Sequence, residues 1–246
     1  MAEIAIIGGT GLTSLHNLQI VRREVVHTPY GEPSGPLVYG SISNKQVVFL
    51  PRHGPGHTIP PHKINYRANI YALQEVGVKQ VIAVAAVGGI RADLTPGRLM
   101  IPDQMIDYTW GRSTTFFEDS LKQVVHIDFT EPYCNDLRLV LLKAGKQLGL
   151  NIAAQGVYAA TQGPRLETTA EINRLERDGC DIVGMTGMPE AALARELGLC
   201  YASCSVVANM AAGRGDEALT MEQIERNLSV GMEDVRRLLE ATIPLL

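Results

Sequence analysis

The sequence predicts an α/β fold in which helices flank a mixed, largely parallel sheet. Two observations support this class: short, continuous apolar runs typical of strands buried on both faces, and helix-period patterns between several of them. Such alternation favours βαβ units. The 246 residues contain no low-complexity linker and no internal repeat, so we expect one domain over residues 1–246.

The predicted strands are the apolar runs Ile4–Ile7, Val47–Leu50, Gln80–Val87, Leu99–Ile101, Ile152–Tyr158, Asp181–Met185 and Leu199–Val207. The predicted helices are residues 62–77, 168–179, 189–198 and 220–239. Thr168 and Glu171 form a capping box that opens the second helix, and Pro189 suits the first turn of the third. A second capping box at residues 220–223 opens the amphipathic C-terminal helix.

Composition and charge exclude several classes of protein. Apolar residues make up 46% and charged residues 20%, which indicates a folded chain rather than a disordered one. The net charge of −4 provides no basic field for nucleic acid, and the apolar runs are shorter than the roughly 18 residues of a membrane helix. The N-terminus lacks a signal-peptide pattern. We therefore expect a cytoplasmic protein with no nucleic-acid or membrane partner, whose cysteines are reduced thiols: Cys134, Cys180, Cys200 and Cys204.

Chemistry in such sheets is expected beyond the carboxyl ends of strands. Residues 8–11 follow the first strand, where glycines can point N–H groups at an anion and Thr10 adds a hydroxyl. The third glycine of a dinucleotide loop is missing, and a plain tight turn is an equal alternative. Thr186, which ends a strand before a helix N-terminus, is a second place suited to an anion.

Arg52 and His53 follow the second strand. Arginine offers a planar fork for phosphate, and the histidine is a further donor. Together with His57 and His62, His53 suggests a metal site. However, the intervening Gly and Pro residues prevent helical alignment, and no carboxylate or thiol lies nearby. Contact with an oxyanion is therefore favoured, and no metal is expected.

Glu167 and Asn209 are polar residues at two other strand-to-helix positions. Glu167 precedes a helix cap, where a solvated acid is the usual explanation. Asn209 closes the last apolar run, where asparagine usually serves a turn, although its amide can also donate and accept toward a heterocycle. The residues alone indicate an enzyme acting on phosphate and a small polar ring, without naming the reaction.

In order and spacing, the segments IIGGTGL, PRHGPGHTIPPHKINYRANI, GPRLET and GMTGMPEA resemble the trimeric purine nucleoside phosphorylase and methylthioadenosine phosphorylase family. The resemblance runs from Ile4 to about Leu239 and implies that family's α/β fold. It also implies a homotrimeric pentosyltransferase that splits a purine nucleoside with inorganic phosphate as co-substrate and without a cofactor. The positions that match its phosphate contacts are Thr10, Arg52, His53, the backbone at Ala86, and Thr186. Some relatives carry a hydroxyl residue at the position of Ala85, and Met185 matches the residue packed against the ribose.

The resemblance also implies the base. Glu167 and Asn209 match relatives that take 6-oxopurines, and with His53 they are the expected catalytic residues. The chemistry agrees, because Glu167 can accept the N1–H of a 6-oxopurine while the Asn209 amide donates to O6 and N7. Adenine would place its bare N1 against Glu167 and leave polar groups unpaired.

The ribose 5′ end is matched by Met221 and Ile224, where inosine-cleaving relatives carry a histidine. Thioether and alkyl groups favour an apolar 5′-methylthio substituent, although packing within the helix is the alternative for Met221. His126 matches a residue that a neighbouring subunit lends to this pocket. The expected reaction is phosphorolysis of methylthioinosine in purine salvage. The alternatives are inosine or guanosine, less favourably methylthioadenosine, and a nucleotide-binding module without catalysis.

Overall fold

The computed structural model describes residues 2–9, 18–119, 123–215 and 221–246. The described strands are β1 (Ile4–Gly8), β2 (Gln19–Glu24), β3 (Leu37–Ile42), β4 (Lys45–Pro51), β5 (Gln80–Gly89), β6 (Leu99–Met100), β7 (Gln104–Asp107), β8 (Ile152–Ala153), β9 (Val157–Ala160), β10 (Ile182–Gly184) and β11 (Cys200–Met210). The described α-helices are α1 (Tyr66–Glu75), α2 (Asn135–Gln147), α3 (Thr169–Arg177), α4 (Gly187–Glu196) and α5 (Met221–Thr242). Short 3-10 helices cover Pro61–Lys63 and Ile243–Leu245.

The strands form one mixed sheet in the order β2-β3-β4-β1-β5-β10-β9-β7, with β11, β6 and β8 branching from β5. Among the described strands, six of the ten pairings are parallel. The longest of these joins β5 and β11. The largely parallel α/β sheet predicted from the apolar runs is therefore confirmed.

Both faces of the central strands are buried, which explains the continuous apolar runs. Alternate residues of β5 enter different cores: Val81 and Ala83 pack with α1 and α4 on one face, whereas Ile82 and Val84 pack with α2 and α5 on the other. Successive side chains of a strand point to opposite faces, so a strand covered on both sides needs apolar residues at every position. The smaller helix α3 packs into a third cluster.

Several element boundaries differ from the predicted ones. The first helix begins at Tyr66 rather than near residue 62, because the Asn65 side chain accepts the amide of Ala68 and caps it there. The predicted strand Ile152–Tyr158 is two strands, β8 and β9, which pair with different neighbours. The hairpin of β2 and β3, the strand β7 and the helix α2 were not predicted. The predicted capping box at residues 220–223 includes residue 220, which lies outside the described residues. The helix that it was predicted to open is present and starts at Met221.

The prediction that all cysteines are reduced is wrong for two of them. Cys134, at the N-cap of α2, forms a disulfide with Cys200, the first residue of β11. Their Cα atoms lie 5.1 Å apart because the backbone N–H of Cys134 bonds to the carbonyl of Tyr201 and brings the two segments together. A sequence separation of 66 residues conceals this proximity. Cys180 and Cys204 are free and buried. Across the described part of the chain, no helix has the length and apolar character that crossing a membrane requires.

Candidate active site

A cavity of about 400 Å³ opens where β1, β4, β5, β10 and β11 end. Eight of the predicted site residues line it: Arg52, His53, Ala86, Glu167, Met185, Thr186, Asn209 and Ile224. These residues come from six separate segments, which the sheet brings together because the strand ends share one edge. The structure therefore gathers into one cavity the residues expected to contact phosphate, sugar and base.

Three predicted site residues are not placed in this cavity. Thr10 and the side chain of Met221 lie outside the described part of the chain. His126 is exposed and does not line the cavity of its own chain. The resemblance predicts that it serves the cavity of a neighbouring subunit.

The register of the sheet positions Asn209. Gly88 of β5 pairs with Asn209 of β11 on one side and with Val183 of β10 on the other. A Cβ atom on Gly88 would lie 3.1 Å from the Val183 side chain, so the close approach of these strands favours glycine. Ala208 is an extra residue at a bulge, which re-aims the strand directly before Asn209.

Arg52 and Glu190 form a buried ion pair beside the cavity. The Nε and Nη2 atoms of Arg52 donate to the two carboxylate oxygens of Glu190 over 2.7 and 2.8 Å. The side chains are 1% and 0% exposed. Burial by itself lowers the pKa of Arg52, but the opposite charge and hydrogen bonds of Glu190 outweigh it and raise the pKa. Gly9 is required nearby, because a Cβ there would lie 2.8 Å from Nη1.

His53 is neutral in this site. Its Nδ1 lies 2.8 Å from the carbonyl oxygen of Ile59. Because a carbonyl can only accept, Nδ1 carries the proton, and Nε2 of the neutral ring is then an acceptor. Burial, reinforced by the charge of Arg52, lowers the pKa of His53 to about 4. The expectation of a hydrogen-bond donor thus changes: the second ring nitrogen can accept a hydrogen bond from a protonated oxygen of an oxyanion.

Glu167 and Asn209 each keep polar capacity for a ligand. The Thr161 hydroxyl lies 2.7 Å from Oε1 of Glu167 and fixes the carboxylate, while Oε2 is available as an acceptor. The Asn209 amide donates one N–H to the carbonyl of Met210 over 2.7 Å. Its second N–H and its Oδ1 can then serve a heterocycle edge. Together the two side chains offer acceptor, donor and acceptor groups.

Sequence reasoning missed two residues that support this site. Glu190 falls in the first turn of α4, where the helix dipole is the usual explanation for an acid, but in the structure it neutralises a buried arginine. The signal was present, because residues 187–194 are otherwise apolar all round and a buried acid needs a cationic partner. Thr161 directly follows β9, so its place at a strand end was the available clue. Within the described residues, no group of three His, Cys, Asp or Glu side chains could hold a metal ion.

Comparisons with known proteins agree with this geometry. Residues 3–244 match the model of the phosphorylase superfamily. A probable S-methyl-5′-thioinosine phosphorylase from Pseudomonas syringae is 53% identical over 236 residues, covering 96% of each chain. A 6-oxopurine nucleoside phosphorylase from Pyrococcus furiosus is 46% identical and covers 100% of this chain and 94% of its own.

A solved methylthioadenosine phosphorylase from Schistosoma mansoni, in complex with adenine, superposes with a TM-score of 0.94 at 34% identity. The alignment covers 100% of this chain and 92% of that one. Because the family model spans nearly the whole sequence and the fold agrees over its full length, the chain belongs to the phosphorylase superfamily, as its motifs predicted.

Proposed function

We propose that this chain catalyses the phosphorolysis of a 6-oxopurine nucleoside, with S-methyl-5′-thioinosine as the preferred substrate. A phosphate oxygen forms a bond to C1′ while the bond between C1′ and N9 of the base breaks. The bonding pair of the broken bond leaves with the base, which takes up one proton, and the attacking hydrogen phosphate gives up one proton as it becomes the phosphate ester. The products are hypoxanthine and 5-methylthioribose 1-phosphate. Inorganic phosphate is the co-substrate, and the proposal includes no cofactor.

The observation that carries this proposal is one cavity lined both by N–H and O–H donors suited to an oxyanion and by an acceptor–amide pair. Arg52 supplies N–H donors, and Thr186, whose hydroxyl can donate to an anion, lines the cavity directly before α4. We assign Thr10, His53 and the backbone at Ala86 to the same phosphate. Fixed donors of this kind stabilise charge that builds up at the reacting atoms.

The base is assigned to Glu167 and Asn209. A 6-oxopurine presents N1–H as a donor and O6 and N7 as acceptors. Oε2 of Glu167 accepts a hydrogen bond from N1–H, and the remaining N–H of Asn209 donates to the edge that carries O6 and N7. This N–H of Asn209 stabilises the negative charge that develops on the departing ring. Asn209 is therefore a catalytic residue as well as a residue that selects the base.

The ribose 5′ end is assigned to an apolar surface. Ile224 of α5 and Met185 line the cavity, and the Met221 side chain is proposed beside them. Alkyl and thioether groups suit a methylthio substituent better than a hydroxyl. Ordinary inosine or guanosine cleavage is the second candidate, favoured by the similar relative from Pyrococcus furiosus and by the polar His57 in the lining. Parallel rates on the 5′-hydroxy and 5′-methylthio nucleosides separate the two.

We also propose a cytoplasmic homotrimer that acts in purine salvage, with residues 1–246 as one domain and no nucleic-acid or membrane partner. In this assembly His126 of one subunit completes the cavity of the next, which accounts for its exposed position in the single chain. Light scattering during gel filtration measures the mass in solution. An active monomer would contradict the trimer, without affecting the assignment of the reaction.

The base assignment is tested by replacing Asn209 with Asp. The ratio of kcat/KM for methylthioinosine over methylthioadenosine is measured in the wild type and in the variant. A carboxylate would face O6, so turnover of the oxopurine should fall by roughly 10²-fold or more. When protonated, the new carboxyl can donate to N7 and accept from an amino group, so the 6-aminopurine nucleoside gains relative to the 6-oxo one.

Two further variants serve as comparisons. Glu167→Gln retains an oxygen for N1–H but loses the charge, so its effect should be milder. Asn151→Asp makes the same chemical change at an exposed position outside the cavity lining and should leave the ratio unchanged. A wild type that prefers the adenine substrate, or an unaltered ratio in Asn209→Asp, would overturn the assignment.

A further inference from the structure

The buried ion pair constrains how Arg52 can meet a ligand. A guanidinium has five N–H donors. Glu190 takes one from Nε and one from Nη2, and the carbonyl of Val84 takes one from Nη1 over 2.8 Å. Among the contacts of the described residues, one N–H on Nη1 and one on Nη2 therefore remain. Two donors on neighbouring terminal nitrogens suit a bidentate contact with an oxyanion.

Glu190 is itself held in place. The Tyr201 hydroxyl donates to Oε1 of Glu190 over 2.8 Å, and Tyr201 is buried in the same core. The carboxylate thus receives three hydrogen bonds, two from Arg52 and one from Tyr201. The buried strand β11 carries Tyr201, while α4 carries Glu190, so two elements of the fold fix the orientation of the guanidinium plane.

We infer that Glu190 is a positioning residue for phosphate, acting through Arg52, and that Tyr201 supports it. This inference rests on the proposed function, which places phosphate against Arg52. Glu190 takes the side edge of the guanidinium and turns the remaining donors of Nη1 and Nη2 toward the cavity. This role depends on the bidentate contact between Glu190 and Arg52, because two parallel hydrogen bonds fix the plane of the guanidinium.

The pair also explains how a fully buried cation is tolerated beside an anion site. An unpaired arginine in this core would be strongly destabilising, whereas a paired one is already desolvated before phosphate binds. The donors then need no reorganisation when the ligand arrives. The net charge of the pair is near zero, so the contribution of Arg52 comes mainly from oriented N–H groups.

The test is steady-state kinetics with inorganic phosphate as the varied substrate and methylthioinosine at saturation. Glu190→Gln should raise the KM for phosphate by roughly 30-fold, because the amide nitrogen cannot accept from Arg52. The KM for the nucleoside, measured at saturating phosphate, should stay within about twofold. Glu190→Asp retains the charge and should restore part of the phosphate affinity. In an Arg52→Lys background, Glu190→Gln should add little.

Two variants separate positioning from general loss of structure. Tyr201→Phe removes one hydroxyl, leaves the ion pair intact and should raise the phosphate KM by roughly threefold to tenfold. It also keeps the inference testable if Glu190→Gln does not fold. Glu196→Gln changes an acid on the same helix that binds Thr115 and the amide of Phe116, and it should not alter the phosphate KM.

The outcomes distinguish this inference from the proposed function. If the wild-type enzyme does not release base in the presence of phosphate, the proposed function itself is wrong. If the wild type is active but folded Glu190→Gln and Tyr201→Phe keep the wild-type phosphate KM, Glu190 does not position Arg52. Equal increases in the KM values for phosphate and nucleoside would assign these residues a structural role only.

Discussion

His53 makes the free energy of unfolding depend on pH in the acidic range. Its folded-state pKa of about 4 lies below the ordinary value of 6.5, because burial and the charge of Arg52 disfavour the protonated ring. Between these two values the unfolded chain binds more protons than the folded one. The free energy of unfolding therefore rises with pH across this window and falls as the solution is acidified from pH 6.5 to about 4.

We predict that acidification over this window removes up to roughly 3 kcal/mol of stability through His53. Urea unfolding at a series of pH values measures the slope. His53→Asn keeps a donor for the carbonyl of Ile59 but cannot titrate, so its slope should be shallower. His27→Asn changes an exposed histidine and should retain the wild-type slope. Parallel slopes for wild type and His53→Asn would contradict this assignment.

Arg112, in the loop after β7, connects the elements that frame the cavity. Its Nη1 donates to the carbonyls of Met185 and Met188, over 2.8 and 2.6 Å. Its Nη2 donates to the carbonyls of Gln162 and Thr161, over 2.9 and 3.2 Å. One guanidinium thereby joins the segment after β9 to the segment that runs from the end of β10 into the start of α4. A planar group with five donors can satisfy several carbonyls at once, which a point charge cannot.

We predict that Arg112→Met raises the KM for the nucleoside by roughly tenfold or more. The carbonyls lose their donors, and a misplacement near the reacting groups is costly. Arg112→Lys retains the charge but not the fork, so it should fall between Met and wild type. Steady-state kinetics and thermal unfolding of both variants test this. A wild-type KM in a folded Arg112→Met variant would show that the loops hold their positions without it.

At the scale of the whole molecule, the disulfide between Cys134 and Cys200 links the start of α2 to the start of β11. It closes a segment of 66 residues that includes α2, β8, β9, α3, β10 and α4. Loop closure in the unfolded chain is costly in entropy over such a span, so a covalent link stabilises the folded form.

Replacing both cysteines with serine should lower the free energy of unfolding by about 2–4 kcal/mol. The measurement is urea unfolding at one protein concentration, with and without a thiol reductant. Wild type should lose stability in the reductant, and the double variant should not respond to it. Cys180→Ser changes a free thiol and should leave the response to reductant intact. A wild-type midpoint that ignores the reductant would contradict a stabilising disulfide.

Much of the central architecture follows from local sequence signals. The runs that became β1, β4, β5 and β11 are continuous because both faces of these strands are buried. The capping box of α3 is present as predicted, with Thr168 and Glu171 bonding reciprocally. By contrast, the hairpin of β2 and β3 escaped prediction because its outer strand is largely exposed and carries charged side chains.

The sequence by itself determined the sheet class, the family and the residue types at the strand ends, because these depend on periodicity, capping and motif spacing. Tertiary structure alone decided which distant groups meet. Arg52 and Glu190 are separated by 138 residues, so only the packing of α4 against the sheet converts a helix-start acid into a buried counter-ion. The fold likewise brings Cys134 to Cys200 and the hydroxyl of Thr161 to the carboxylate of Glu167. Local patterns report how one segment folds, whereas partners and protonation depend on the burial and contacts that the assembled fold creates.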